Sequence, residues 1–137
     1  MNTDVAFEEW LAICNAKARY CRYLDSKQWD DFASLFTEDC ELDVSEGTDQ
    51  DVIIGRSAAI ALVRESIEAA KTAHQVHTPE MTRDGDSIFV IWAMQDRVVW
   101  SEALALTGYG TYHERWVTQG DDWKIASLKL TRYIMEM

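Results

Sequence analysis

Between residues 5 and 25 the apolar positions Phe7, Trp10, Leu11, Cys14, Ala18 and Cys21 recur mostly at threes and fours. That spacing places side chains on one side of a helix and predicts an amphipathic α-helix over the stretch. Asp25 occupies the next position of the series. "SKQWDDFASLF" predicts a second, short helix with Trp29, Phe32, Ala33 and Phe36 inward, and "DCELDV" then alternates as a strand does. The acidic run "SEGTDQD" reads as a loop. Gly55 introduces a third helix in which Ile60, Val63 and Ile67 keep helical spacing. From residue 73 the period becomes two. Four strands are predicted, over about 73–83, 86–101, 104–118 and 122–134, with "DGD" and "QGDD" as tight hairpin turns. Helices followed by an antiparallel meander define an α+β domain, a curved sheet with helices on one face.

The strand rows identify charges that break the pattern. Ile88, Val90, Trp92, Met94, Asp96, Val98 and Trp100 share a face, and Asp96 is the only charge in that row. Ala126, Leu128, Leu130, Arg132 and Ile134 form a second such row, broken only by Arg132. With Asp25 at the end of the helical stripe, three residues violate binary patterning, as residues at functional sites often do. Two readings follow. The three line a polar patch in a cavity, or Asp96 and Arg132 form a buried structural ion pair while Asp25 caps the turn into the second helix.

Composition narrows the function. At 137 residues, 47% hydrophobic with six tryptophans, the chain predicts a single globular domain, residues 1–137, with no linker or repeat. A net charge of −11 opposes binding to nucleic acid or to an anionic membrane surface. "MNTDVAFEEW" has neither the basic nor the apolar region of a signal peptide, and no run of 18 apolar residues occurs, so a cytoplasmic location is expected. Cys14, Cys21 and Cys40 are odd in number and lack metal-type spacing, which predicts buried thiols.

"ARYCRYLDSKQWDDFASLFTEDCELDV", Gly55, "HQVHTPEM", "IWAMQD", "GYGTYHERW" and "DDWKIASLKLTR" together resemble the SnoaL-like branch of the nuclear-transport-factor-2-like superfamily. Within that branch the pattern is similar to bile-acid 7-alpha-dehydratase and scytalone dehydratase. The resemblance implies three helices in the N-terminal half and a curved sheet that together form a cone-shaped pocket. It also implies a dimer or trimer, and it carries catalytic roles onto Tyr20, Asp25, His74, Asp96 and Arg132. The fold alone leaves the chemistry open, because one fold hosts many functions.

His74 and His77 lie three apart in "TAHQVHTPEM", and on an extended strand they face opposite sides. They cannot close on one metal without a bulge, and no metal or other cofactor is expected. With His74 inward, Val76 and Thr78 share its side, while Pro79 marks an edge or a bulge. His113 is expected to face away from the row of Leu106, Tyr112 and Trp116.

The residues named by resemblance suit elimination of water beside a carbonyl. His74 would accept the α-proton and Asp25 would orient it. Tyr20 would donate to the enolate oxygen, and Asp96 would protonate the departing hydroxyl. One geometric condition attaches to Tyr20 and Asp25. Five residues turn a helix by about 140°, so both reach one cavity only if the helix is buried over a wide arc, as Ile13 and Leu24 near Tyr20 suggest. Trp92, Trp100, Tyr112 and Trp116 are expected to wall a pocket for a hydrophobic small molecule of steroid, polyketide or aromatic type. An isomerase or cyclase using the same residues, and a non-catalytic ligand- or partner-binding module, are the alternatives.

Overall fold

A computed structural model describes residues 3–46 and 48–137. Its elements run α1 (Phe7–Asp25), α2 (Trp29–Ala33), β1 (Phe36–Asp43), β2 (Ile53–Ile54), α3 (Arg56–Ile67), β3 (Lys71–Asp84), β4 (Ser87–Val99), β5 (Ala105–Gln119) and β6 (Asp122–Glu136). The strands form one six-stranded sheet in the order β2-β1-β6-β5-β4-β3. Hairpins β3–β4 and β5–β6 turn at Gly85 (φ 60°) and Gly120 (φ 62°), where a left-handed backbone costs glycine nothing. The expected all-antiparallel sheet is corrected in one place, because β1 runs parallel to β6. A strand that precedes the meander by a helical crossover can join its far edge in that direction.

Bulges bend the sheet around its helices. Register shifts fall between His77 and Glu80 on β3, between Tyr109 and Gly110, and between Arg115 and Trp116 on β5. The first coincides with Pro79 on the edge strand, where a missing N–H breaks no interior ladder. Along β4 the alternation is complete. Ile88, Val90, Trp92, Met94, Asp96 and Val98 are buried, while Phe89, Ala93 and Arg97 are exposed.

Helix α1 departs from expectation in which face it buries. Phe7, Trp10 and Leu11 are exposed, Cys14 and Cys21 are only half-buried, and the buried face is Ile13, Ala16, Lys17, Tyr20 and Leu24. Of the three thiols only Cys40 is fully buried. The helix is fastened at its start, where Glu9 accepts from the Ala6 N–H and pairs with Arg83 of β3. Tyr20 continues into an aromatic cluster, with ring centroids 4.9 Å from Phe32 and 5.9 Å from Tyr112. Helices α1 and α3 pack on β3 and β1 respectively, toward opposite ends of the sheet order, and the space between them is the cavity described next. No helix of the described residues is long and apolar enough to cross a membrane.

Candidate active site

The C-terminal end of α1 meets the start of β3. Asp25 Oδ1 lies 2.7 Å from His74 Nδ1 and accepts from the Thr72 hydroxyl at 2.9 Å, while Asp25 Oδ2 accepts the His74 backbone N–H at 2.8 Å. Three contacts from one strand therefore fix the carboxylate. A carboxylate can only accept, so His74 Nδ1 carries a proton, and in the neutral imidazole the lone pair is then on Nε2. Lys27, in the left-handed region at φ 61°, donates from its ammonium to Thr72 Oγ1 at 2.8 Å and closes the chain of contacts. Burial lowers the Lys27 pKa, and the Asp25 charge partly restores it.

His74 and Asp96 are directly opposed in the β3–β4 ladder, so both point to the concave face. Asp96 receives a two-pronged contact from Arg132, Nη1 to Oδ1 at 3.0 Å and Nη2 to Oδ2 at 2.9 Å. Gly108 leaves room for it. A Cβ there would lie 2.0 Å from Arg132 Nη1 and 2.4 Å from Asp96 Oδ1. The pair raises the Arg132 pKa against the effect of burial.

These groups border a cavity of about 320 Å³, at the small end of ligand sites. Its polar side chains are Tyr20, His74, Asp96, Tyr112 and Arg132, joined at the rim by Thr48 and Ser66. The remaining wall is apolar: Leu24, Leu62, Val63 and Ile67 from the helices face Leu42, Val98, Leu106, Leu128 and Leu130 of the sheet, with Val44 just past β1 and Trp100 beside them. Burial, with a smaller contribution from the Glu114 charge, holds the Tyr20 hydroxyl well above the usual phenol pKa, and a hydrogen bond from Tyr112 partly offsets this. Tyr112 is raised as well, first by burial. Both remain O–H donors at neutral pH.

The structure brings some of the residues named from the sequence to the cavity and places others elsewhere. Tyr20, His74, Asp96, Arg132, Trp100 and Tyr112 all line the cavity. Asp25 does not border it. It stands behind His74, so the wide-arc condition on α1 falls away, and its oxygens serve β3 rather than cap the second helix. The ion pair and the cavity are not alternatives, since Asp96 and Arg132 are paired and line it together. Trp92 and Trp116 are corrected: they lie behind the wall, and each indole N–H donates to Glu114 Oε1, at 2.7 and 2.9 Å. His77 is exposed, and His113 faces away toward Thr111.

Three residues with roles here went unread in the sequence. Thr72 carries no patterning signal. Glu114, by contrast, lies on the Tyr112–Trp116 row of β5, where the rule that found Asp96 applies equally. Lys17 sits on the buried face of α1 between Ile13 and Tyr20, and pairs with Glu114 with both side chains fully buried. Among the described residues no group of three or more His, Cys, Asp or Glu comes together as a metal site would require.

Residues 6–129 match the family described as SnoaL-like domain. "Probable cyclase FGR4" of Gibberella zeae is 33% identical over 140 residues, covering 93% of each chain. A Novosphingobium aromaticivorans protein named for scytalone dehydratase superposes with a TM-score of 0.83 at 22% identity, covering 93% of this chain and 86% of that one. A type 2 hexachlorocyclohexane dehydrochlorinase superposes with a TM-score of 0.80 at 15% identity, covering 92% and 86%. At such identities the structural likeness establishes the nuclear-transport-factor-2-like fold.

Proposed function

Since the chain belongs to the SnoaL-like family, we propose that it is a small-molecule lyase of dehydratase type, working without a cofactor by general acid–base elimination beside a carbonyl. One observation carries the reading: an Asp25-oriented imidazole reaches an apolar cavity that also holds two buried phenols. His74 Nε2 takes the proton α to the carbonyl, and the C–H electron pair passes into an enolate. Tyr20, backed by Tyr112, donates to the enolate oxygen, a contribution of about 3–4 kcal/mol for such a donor in a dry site. The enolate then expels the β-hydroxyl, which leaves as water with the proton returned from His74 Nε2. Asp25 stabilises the intervening imidazolium.

Asp96 takes a different part from the one expected. Both of its oxygens accept from Arg132, so it holds the guanidinium beside the substrate rather than giving up a proton. The apolar wall fits a hydrophobic skeleton with one oxygenated end, and the volume favours a ring system of modest size. The relative named as a cyclase favours a second reading, in which the same enolate attacks a carbonyl in the same molecule instead of losing hydroxide. Both readings share the first step.

The test is turnover of aryl β-hydroxyketones followed by enone absorbance. Wild type is expected to be active. His74→Ala and Asp25→Asn are each expected to lose two or more orders of magnitude, with the double variant little worse than the worse single one, because groups acting as a unit are not additive. Full turnover in His74→Ala would defeat the proposal.

A further inference from the structure

The mechanism makes no use of the most deeply buried charges in the molecule. Lys17 and Glu114 are paired with no exposure of either side chain. Such a pair is costly to desolvate, and well-packed apolar residues often serve stability equally well. Glu114 is fully engaged, accepting from Lys17 at Oε2 and from both Trp92 and Trp116 at Oε1. The Lys17 ammonium lies 3.4 Å from the ring centre of Tyr20 and 3.9 Å from that of Tyr112. Those are the two phenols that line the cavity.

We propose that Lys17 is a positioning residue for this phenol pair: pinned by Glu114, its ammonium clamps the Tyr20 and Tyr112 rings and polarises their hydroxyls toward an oxyanion in the cavity. A cation against the face of a ring holds it in place and draws its electron density away from the O–H bond. The Glu114 charge acts in the opposite sense on Tyr20, but it is shared among the ammonium and two indole N–H groups. The ammonium is in direct contact with both rings. The inference rests on the enolate reading above and deepens it, since it names what makes the donors selective for negative oxygen.

Binding of para-nitrophenol, whose absorbance reports its ionised form, tests this against nitrobenzene, a neutral molecule of nearly the same shape. Wild type is expected to prefer the phenolate over nitrobenzene by at least about tenfold. In Lys17→Met/Glu114→Gln, which leaves no orphan charge, that preference falls by about tenfold while nitrobenzene affinity is unchanged. A double variant that keeps the wild-type preference overturns the inference and leaves the enolate reading standing. Equal loss of both ligands also overturns it, because a purely structural role would act that way. No phenolate preference in the wild type would overturn the enolate reading and this inference with it.

Discussion

Gly108→Ala should break the Asp96–Arg132 pair without removing either charge. Gly108 has no positive φ, so the strain is steric and not conformational. The added Cβ would lie 2.0 Å from Arg132 Nη1 and 2.4 Å from Asp96 Oδ1, two atoms that are now 3.0 Å apart. It is therefore a wedge between them. Moving each atom back along its own line to ordinary contact would open their separation to roughly 4.5 Å, past any hydrogen bond. One charge-assisted bond is lost outright and the second is strained, in a pair whose side chains are only 13% and 4% exposed. The expected cost is about 2–4 kcal/mol, which for a chain of this size lowers Tm by roughly 10 °C. Urea unfolding should show a lower midpoint with an unchanged slope. Gly120→Ala supplies the comparison, because it meets open space and carries only a left-handed backbone penalty of about 1 kcal/mol. A Gly108→Ala cost below about 0.5 kcal/mol, or one smaller than that of Gly120→Ala, would refute the wedge.

Trp100 lines the cavity and donates its indole N–H to the Ser66 carbonyl at 2.9 Å, yet is 36% exposed. Trp100→Ala is expected to weaken binding of β-tetralone by about tenfold or more in calorimetry while costing under roughly 1 kcal/mol of stability. The raised pKa values of Tyr20 and Tyr112 set an alkaline limit: the folded state keeps protons that the unfolded chain releases near pH 10, so stability is untouched below that pH and falls as pH rises beyond it. Absorbance titration should therefore show two of the five tyrosines ionising only above the ordinary range or on unfolding. Tyr20→Phe should fold normally and reduce turnover of an aryl β-hydroxyketone by about a hundredfold or more, whereas a loss under threefold would remove it from the enolate's partners.

The sheet was legible because alternation is a local property. Each inward row of β4 and β6 announces its face, and the charges that break those rows, Asp96 and Arg132, prove to be partners in the cavity. The parallel pairing of β1 with β6 carries no comparable signal, since direction depends on where the crossover through α3 delivers the chain. Helix α1 was misread by about one position because Lys17 interrupts its true stripe. A lysine scores as surface unless a buried carboxylate waits for it, and Glu114 is 97 residues away. Trp92 and Trp116 were assigned to the pocket for the same reason, as their indole N–H groups are satisfied by that unseen carboxylate. His74 enters through the resemblance, whereas Asp25 stands out at the end of its helical stripe, and the sequence alone does not say that the aspartate stands behind the histidine instead of beside it.

The central claim is that His74, oriented by Asp25, takes a proton from carbon. Exchange of the α-protons of β-tetralone in deuterium oxide, followed by NMR, reads that step directly, whether the enolate is later protonated, cyclised or relieved of a hydroxyl. Wild type is expected to accelerate exchange over buffer, and His74→Ala and Asp25→Asn to lose about 10²–10⁴ of that acceleration. Exchange undiminished in His74→Ala, or no faster with wild type than in buffer, would contradict it.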